Sequence, residues 1–414
     1  MWSIASIFLV YISLVNAIAG VDEKHAAALV SWLRESGGFF HPNLEMRRVD
    51  PSDPNSRFGM FTKGPIPFEE TMLTIPDSMI LDSRGEDEEY TSAMVCGTIR
   101  NLIEQLKLKD DSKYAPYVNY LLDTQPPGQI PSSWSDAGKK LFHKLLEGDD
   151  EDDDYIVLPP TEPTPWLDEW REECDGSDDP LDHYAALTLI QRSWDDILIP
   201  VFDMMSHRNG DWTNTASNNL HEGEPASVYA SRDIEEGEEI YTTYNHCEDC
   251  GARYVTYGTP EILREYGFVE QFPQSWIFSD IEVGFRIDHW YGENDVALKD
   301  EYVVTEWIYG KPDEETIAEL DARYDQVVQL SHELLKQRDE NVPEHEWNTI
   351  VQYFDALELA LDIAIGGAEN GDGQYKGEDD TDEDDDEDED DDEDEDDDDD
   401  EYEDDEDDQE NDEL

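Results

Sequence analysis

The sequence predicts an α+β fold, followed by a smaller, mainly helical C-terminal domain and a disordered acidic tail. Short apolar runs separated by Gly and Pro, at residues 57–61 and 72–76, are typical of β-hairpins. Stretches with helical periodicity lie between residues 91 and 147 and again between residues 314 and 365. From residue 369 onwards too little apolar surface is available to offset the entropy of ordering, which predicts disorder.

The remaining elements follow the same patterns of periodicity and turn residues. A helix over residues 25–36 ends at Gly37-Gly38. The further predicted helices cover residues 94–108, 114–122, 137–146, 181–193 and 261–266, and the further predicted strands cover residues 197–202, 227–229, 239–244, 281–287 and 301–308.

The net charge is extreme and unevenly distributed. The chain has 107 Asp and Glu residues against 27 Lys and Arg, which gives a formal charge of −80. Residues 378–414 hold 32 of the acidic residues and no basic one, so about −48 remains on residues 1–377. Because such a surface repels phosphate backbones, we expect no nucleic acid ligand and predict partners with basic segments.

Both ends of the sequence carry targeting features. Residues 4–15 are apolar and precede Ala17-Ile18-Ala19, which predicts a cleaved signal peptide over residues 1–19. The apolar stretch is too short to span a bilayer, so no stable membrane insertion is expected after cleavage. The last four residues, Asn411-Asp412-Glu413-Leu414, are similar to the Lys/His-Asp-Glu-Leu retention signal. We therefore predict the lumen of the endoplasmic reticulum, with secretion or another organelle of the secretory route as the alternative.

Four sequence blocks, in order, resemble the SET family, in the branch of the RuBisCO large-subunit lysine methyltransferases. The resemblance implies a SET domain over residues 20–270 with a helical insertion at about 85–180, and a C-terminal domain over residues 271–368. The blocks are Arg57-Phe58-Gly59-Met60-Phe61 up to Pro76; Tyr114-Ala115-Pro116-Tyr117 up to Trp134; Arg192 with Ile199 to His207; and Ile234 to Tyr244 with Tyr266-Gly267-Phe268.

The resemblance implies S-adenosylmethionine as the cofactor and a protein side chain, lysine or histidine, as the methyl acceptor. Tyr244 and Tyr266 would be the active-site tyrosines. The backbone at Phe58 and Gly59 would approach the methionine end of the cofactor, since a small residue allows close passage. The other cofactor-pocket residues that the resemblance implies are Arg192, Asp203, Ser206 and His207.

The chemistry of methyl transfer suits these residue types. The reaction is an in-line displacement at a methyl group by a neutral amine, so alignment supplies much of the catalysis. A tyrosine hydroxyl, protonated at neutral pH, orients the reacting groups better than it removes a proton. The acceptor amine would lose its proton through desolvation in a narrow channel or to water.

Two departures from the family pattern favour an alternative interpretation. Ser206 stands where the family has Asn, and Arg57 stands where the first Gly is expected. The alternative is an inactive SET scaffold in which the acidic tail buffers calcium weakly or binds partners. A purely solubilising role of the tail is the simpler hypothesis.

The four cysteines allow two disulfides in an oxidising compartment, with three connectivities. For Cys247 and Cys250 we favour a local disulfide over a redox-active pair or half of a zinc site. We assign no metal-ligand set.

Overall fold

The computed structural model describes residues 23–50, 56–83, 92–148, 156–194, 196–221, 223–244, 257–289, 302–370 and 374–376. The predicted signal peptide, the Cys247–Cys250 segment and residues 377–414 of the acidic tail lie outside these residues, so the predictions made for them, including weak calcium binding, stay predictions. Among the described residues no helix combines the length and the apolar character that a membrane span requires.

The N-terminal half is built on short antiparallel strands. Helix α1 covers residues 23–35 and ends at the Gly37-Gly38 turn, as predicted. Strand β4 pairs with β1 on one side and with β9 on the other, and β8 completes this sheet. Strands β2 and β3 form a separate hairpin. The strands named here are β1 (Phe39–Phe40), β2 (Leu44–Arg48), β3 (Phe58–Thr62), β4 (Thr71–Ile75), β8 (Thr215–Ser217) and β9 (Ala226–Ala230).

Among the described residues, five α-helices lie between β4 and the strands that carry the site. They are α2 (Ser92–Leu108), α3 (Ala115–Thr124), α4 (Asp136–Glu147), α5 (Trp166–Cys174) and α6 (Pro180–Arg192). A disulfide joins Cys96 of α2 to Cys174 of α5, and the Cys174 carbonyl accepts a 2.6 Å hydrogen bond from Arg100. The predicted helical insertion is thus present, and its second half includes α5, which the periodicity did not reveal.

Two short strands far apart in sequence run parallel to each other. Strand β7 (Ser206–His207) pairs with β10 (Tyr241–Thr242), with Ser206 opposite Tyr241. The chain between them returns past β3, where the Ile240 N–H donates to the Met60 carbonyl at 2.8 Å. This arrangement brings residues near positions 57, 206 and 240 to one place.

The C-terminal region combines an antiparallel sheet with two long helices. Helix α7 (Thr259–Tyr266) leads into a sheet with the order β11-β12-β13-β14. The sheet strands are β11 (Gln274–Phe278), β12 (Val283–His289), β13 (Tyr302–Trp307) and β14 (Gln374–Lys376), and the helices are α8 (Glu314–Leu334) and α9 (Glu344–Asn370).

Two apolar cores stabilise these parts. The first core runs from Leu29 to Ile240 and includes the N-terminal sheet and most of the insertion helices. The second core contains Phe142, Leu145 and Leu146 of α4 together with α9 and the C-terminal sheet. Helix α4, though inside the helical insertion, therefore packs with the C-terminal region.

Three details of the sequence prediction were wrong. The strands at 57–61 and 72–76 do not pair with each other, because each finds a partner elsewhere in the chain. The predicted strand 197–202 is only Ile197–Leu198, paired with Ser193–Trp194, since the chain then turns. The strand β11 was not predicted, and neither was β14, which lies within the region predicted to be disordered and is ordered by its pairing with β13.

Candidate active site

A cavity of about 1080 Å³ opens between the β2–β3 hairpin, the β7 and β10 pair and the end of α3. Aromatic side chains and charged groups share its wall. Its lining comprises Arg48, Ser56, Arg57, Phe58, Tyr120, Leu122–Gln125, Pro126, Pro127, Gln129, Arg192, Asp203, Met204, Met205, Ser206, His207, Tyr241, Tyr244, Phe268, Val269 and Gln271.

The structure brings most of the predicted site residues to this cavity. Six of them line it: Phe58, Arg192, Asp203, Ser206, His207 and Tyr244. Tyr266 is not part of this lining, but its ring packs on Tyr244 with 4.7 Å between the ring centroids. Gly59 lies behind the wall, in strand β3.

A strained turn places the acidic side of the cavity. Val201 has a φ of 76°, a conformation that β-branched residues rarely adopt. The turn that follows it directs Asp203 inwards, where Oδ2 accepts from the Tyr117 hydroxyl at 2.7 Å and from Arg192 at 3.1 Å. The Asp203 side chain is 1 % exposed, so these bonds hold its carboxylate in a desolvated position.

The surroundings shift the pKa values of this pair. Burial raises the pKa of Asp203 above its usual range, although Arg192 and Tyr117 act in the opposite direction. For Arg192, burial opposes the charged form, but Tyr120 and Asp203 outweigh it and raise the pKa. The guanidinium also lies 5.4 Å from the centroid of the Tyr120 ring. Arg192 therefore stays charged and anchors the Asp203 carboxylate at the cavity wall.

Tyr244 is held at both its backbone and its hydroxyl. Its hydroxyl donates to the Met205 carbonyl at 2.5 Å, and its backbone N–H donates to His207 Nδ1 at 3.0 Å. Burial raises the pKa of Tyr244 well above its ordinary value. The hydroxyl is thus neutral over the physiological range, which suits a group that orients reactants by hydrogen bonding.

A buried glutamate, Glu270, fixes the orientation of His207. Because Nδ1 accepts from Tyr244, Nε2 carries the proton and donates to Glu270 Oε2 at 2.7 Å. The same carboxylate accepts from Asn209 at 3.1 Å and from Thr259. Both side chains of the His207–Glu270 pair are at most 1 % exposed. Through His207, Glu270 therefore connects Tyr244 to the segment around residue 270.

A second buried glutamate, Glu239, joins the two positions that depart from the family pattern. Its carboxylate pairs with both Nη1 and Nη2 of Arg57, and its Oε1 accepts from Ser206 Oγ at 2.6 Å. Oε2 also accepts from the Tyr241 hydroxyl at 2.8 Å. A Cβ on Gly59 would come within 2.7 Å of Glu239 Oε1. The glycine thus makes room for this carboxylate, whereas the sequence interpretation had it make room for the cofactor.

The sequence analysis missed both glutamates as site residues. Glu239 lies inside the quoted block Gly237-Glu238-Glu239-Ile240, and a charge directly before the fully buried Ile240 was the available signal. Glu270 follows Tyr266-Gly267-Phe268 by two residues and lies between the partly buried Val269 and Phe272. In both places an acidic residue close to apolar positions indicated a buried polar contact.

Metal ligands are not grouped in the described residues: no cluster of three or more His, Cys, Asp or Glu there has a geometry that could hold an ion. The cysteines of the described part, Cys96 and Cys174, pair with each other. Cys247 and Cys250, for which a local disulfide was predicted, stay outside the described residues.

No curated protein sequence matches the chain. One similar solved structure is Rubisco LSMT bound to AdoMet, at 12 % identity and a TM-score of 0.49, over 84 % of this chain and 92 % of that chain. Another is the SET domain of LSMT bound to lysine and AdoHcy, at 13 % identity and a TM-score of 0.46, over 82 % and 92 %.

The family comparison is the more direct one. The SET domain family model matches residues 57–245, a range that begins at Arg57 and includes Arg192, Asp203, His207, Glu239 and Tyr244. The strands β3, β7 and β10, which build one wall of the cavity, all lie within it. Residues 57–245 of this chain are therefore similar to the SET domain family.

Proposed function

We propose that the chain is an S-adenosylmethionine-dependent protein methyltransferase that acts on a lysine or histidine side-chain nitrogen. The observation that carries the proposal is the neutral Tyr244 hydroxyl, held against the Met205 carbonyl at the wall of a large cavity inside a SET domain. A hydroxyl in a fixed position next to a carbonyl can align an amine and a methyl group for displacement.

The residues of the cavity fit S-adenosylmethionine. The faces of Phe58, Tyr244 and Phe268 suit a sulfonium cation, which is attracted by aromatic rings. Backbone carbonyls at Asp203 and Met205 add oxygen acceptors at the same wall. The bound cofactor would supply a methyl group on a positively charged sulfur.

The chain's own residues would position the acceptor nitrogen and control its solvation. Tyr244 and Tyr266 pack together and, with Phe268, form an aromatic cluster that would give the acceptor an apolar region beside the cavity. An amine that enters such a region loses its hydration, which lowers its pKa and favours the neutral nucleophile. Asp203 and Arg192 form an ion pair that is neutral as a whole, so this part of the wall would not oppose the approach of a cationic side chain.

Cofactor binding is the first test. We expect calorimetric titration of S-adenosylmethionine into the full chain to show micromolar binding that His207→Ala abolishes. His41→Ala is the matched control, because His41 also accepts a backbone N–H and bonds a glutamate, but outside the cavity lining. Absence of binding in the folded wild-type chain would overturn the proposal and favour an inactive scaffold.

We further infer that the protein substrate offers a basic segment to this site. The support is electrostatic: residues 1–377 carry about −48, and Asp123 at the cavity lining is largely exposed. Association with a basic peptide should weaken as salt increases, because added ions screen such attraction. Methylation of lysine-rich peptides would be measured between 50 mM and 300 mM salt, and an unchanged KM would contradict the inference.

We also propose an endoplasmic reticulum location. The Cys96–Cys174 disulfide supports an oxidising compartment, and the apolar N-terminal stretch is typical of a signal peptide. Deletion of residues 412–414 should convert a retained protein into a secreted one. Continued retention after the deletion would show that the C-terminal residues are not the signal.

A further inference from the structure

The guanidinium group of Arg57 has two hydrogen-bonding edges, and the protein uses one of them. Nη1 and Nη2 form the end-on fork that grips the two oxygens of Glu239, with 2.8 Å between Nη2 and Oε2. Nη1 also donates to Ser206 Oγ at 2.5 Å. This fixes the plane of the guanidinium through a bidentate ion pair, the strongest contact that an arginine makes with a carboxylate.

The second edge faces a different environment. It consists of Nε–H and the remaining N–H of Nη2; within the part of the chain that the structure describes no acceptor is bonded to Nε, and the Tyr241 side chain also interacts with the guanidinium. Arg57 lines the cavity, and its side chain is 49 % exposed although Glu239 beside it is only 6 % exposed. The unused edge of an arginine fork matches the two oxygens of a carboxylate.

Glu239 makes this arrangement compatible with a cationic ligand. An unpaired arginine in the cavity wall would repel a sulfonium, whereas the Arg57–Glu239 pair is neutral as a whole. Ser206 and Tyr241 complete the coordination of the Glu239 carboxylate, so its charge is satisfied without the ligand. The guanidinium can therefore bind an anionic group of the ligand at short range, while the neutral ion pair does not repel the sulfonium of the same ligand.

S-adenosylmethionine has one anionic group, the α-carboxylate of its amino-acid end. We propose that Arg57, oriented by Glu239, binds this carboxylate through its Nε and Nη2 edge; the inference rests on the function proposed above. The two departures from the family pattern, Arg57 and Ser206, then belong to one hydrogen-bonded binding site that is organised by Glu239.

The test compares ligands that differ at the carboxylate. Binding to the full chain would be measured calorimetrically for S-adenosylmethionine, S-adenosylhomocysteine and decarboxylated S-adenosylmethionine, with wild type and Arg57→Gln. Arg57→Gln should weaken the two carboxylate ligands by about 10- to 100-fold, the range of a charge-assisted bidentate contact. The decarboxylated ligand should bind the variant as well as, or better than, wild type, because a nearby positive charge has been removed.

Two further variants separate the charge of Arg57 from its geometry and provide a control. Arg57→Lys keeps the charge, but its single ammonium cannot hold Glu239 and a ligand carboxylate together, so it should also lose affinity for S-adenosylmethionine. It serves in place of Arg57→Gln if that variant does not fold. Arg47→Gln, on the neighbouring strand β2 and outside the cavity lining, is the control and should bind all three ligands like wild type.

The outcomes separate the two proposals. Equal loss for all three ligands in Arg57→Gln would mean that Arg57 only supports the structure, and no loss for any would mean that it does not contact the cofactor. Either result overturns the carboxylate contact while the methyltransferase proposal stands. Failure of wild type to bind any of the three ligands would overturn both.

Discussion

At the scale of single residues, the site depends on groups held by more than one partner. Tyr244 is fixed through its hydroxyl and its backbone, and Arg57 through both of its terminal nitrogens. A side chain restrained at two points has few rotamers left, so its functional atom keeps one position. Removal of one atom from such a residue should therefore affect chemistry more than folding.

Tyr244→Phe is the clearest test at this scale. Loss of the hydroxyl should lower the rate of methyl transfer about 100-fold, as for removal of one preorganised donor. Affinity for S-adenosylmethionine should stay within about threefold, since the backbone contact to His207 persists. The rate would be followed as transfer of labelled methyl to lysine- and histidine-containing proteins.

Tyr184→Phe is the matched control for that variant. Its hydroxyl also donates to backbone carbonyls, those of Leu121 and Gln125, and burial raises its pKa to about 12, but it does not line the cavity. Both variants should lose about 1 kcal/mol of stability, typical of a buried hydrogen bond. An unchanged rate in Tyr244→Phe would exclude the proposed role.

At the scale of elements, two glutamates hold short segments together that could not be stable alone. Strands β7 and β10 have two residues each, and helix α7 has eight. Glu239 links β10 to β7 and to the residue before β3, and Glu270 links β7 to the start of α7. Buried carboxylates with several donors thus replace the regular hydrogen bonds that longer elements would provide.

Glu270→Gln tests this linkage. A glutamine keeps one acceptor oxygen, so its NH2 would face either His207 and Asn209 or Thr259, and the charge-assisted bonds to the carboxylate would be lost in both orientations. We expect the free energy of unfolding in urea to fall by about 2–4 kcal/mol. Glu70→Gln, which removes the partially exposed partner of His41, should cost less than about 1 kcal/mol. Equal losses in the two variants would contradict the linking role.

Helix α7 also predicts a dependence of stability on pH. The Glu261 carboxylate accepts the Gly258 N–H at 2.8 Å and closes the first turn of the helix. Burial raises the pKa of Glu261 to about 7, although the Gly258 N–H and Arg264 act in the opposite direction. At pH values between the ordinary pKa of a glutamate and about 7, Glu261 has lost its proton in the unfolded chain but keeps it in the folded chain. This group therefore makes the protein less stable as pH rises through that window.

Glu261→Gln should remove this contribution. The variant should be more stable than wild type at pH 8, by about 2 kcal/mol, and should show no such gain at pH 4. Urea unfolding at both pH values would measure the difference. Glu315→Gln, an exposed glutamate in the first turn of α8, serves as the control and should show no pH-dependent gain. A gain of equal size at both pH values would contradict the shifted pKa.

At the scale of the whole molecule, the disulfide and the two cores connect distant parts of the chain. Cys96 and Cys174 are 78 residues apart and join α2 to α5. Helix α4, inside the insertion, contributes to the core of the C-terminal region, where Phe142 contacts Tyr353 and Phe354. The helical insertion therefore connects the SET strands with the C-terminal helices.

Cys96→Ser combined with Cys174→Ser should destabilise this connection. Opening a loop of this length should lower the free energy of unfolding by about 2–4 kcal/mol. The double variant is preferable to a reducing agent, because a reductant would also open the disulfide predicted for Cys247 and Cys250. Unfolding would be compared with wild type under non-reducing conditions, and an unchanged stability would show that the bridge contributes nothing to the fold.

The sequence by itself determined the elements with a strong local signal and the motifs that mark a SET domain. Helical periodicity located α1, α2, α3 and α4, and turn residues ended several of them where expected. Six of the eight predicted site residues line one cavity, because motif residues lie next to strands and turns that fix them locally. Such signals depend on neighbours a few positions away and are visible in a linear chain.

The tertiary structure alone decided which distant residues meet. Arg57 and Glu239 are 182 positions apart, His207 and Glu270 are 63 apart, and neither pair has a local signal that specifies its partner. Partner choice depends on the parallel pairing of β7 with β10 and on their position beside β3, which pack many residues at once. Contacts between groups far apart in sequence form only when the cores that hold them are complete, so the site's electrostatics follow from the whole fold.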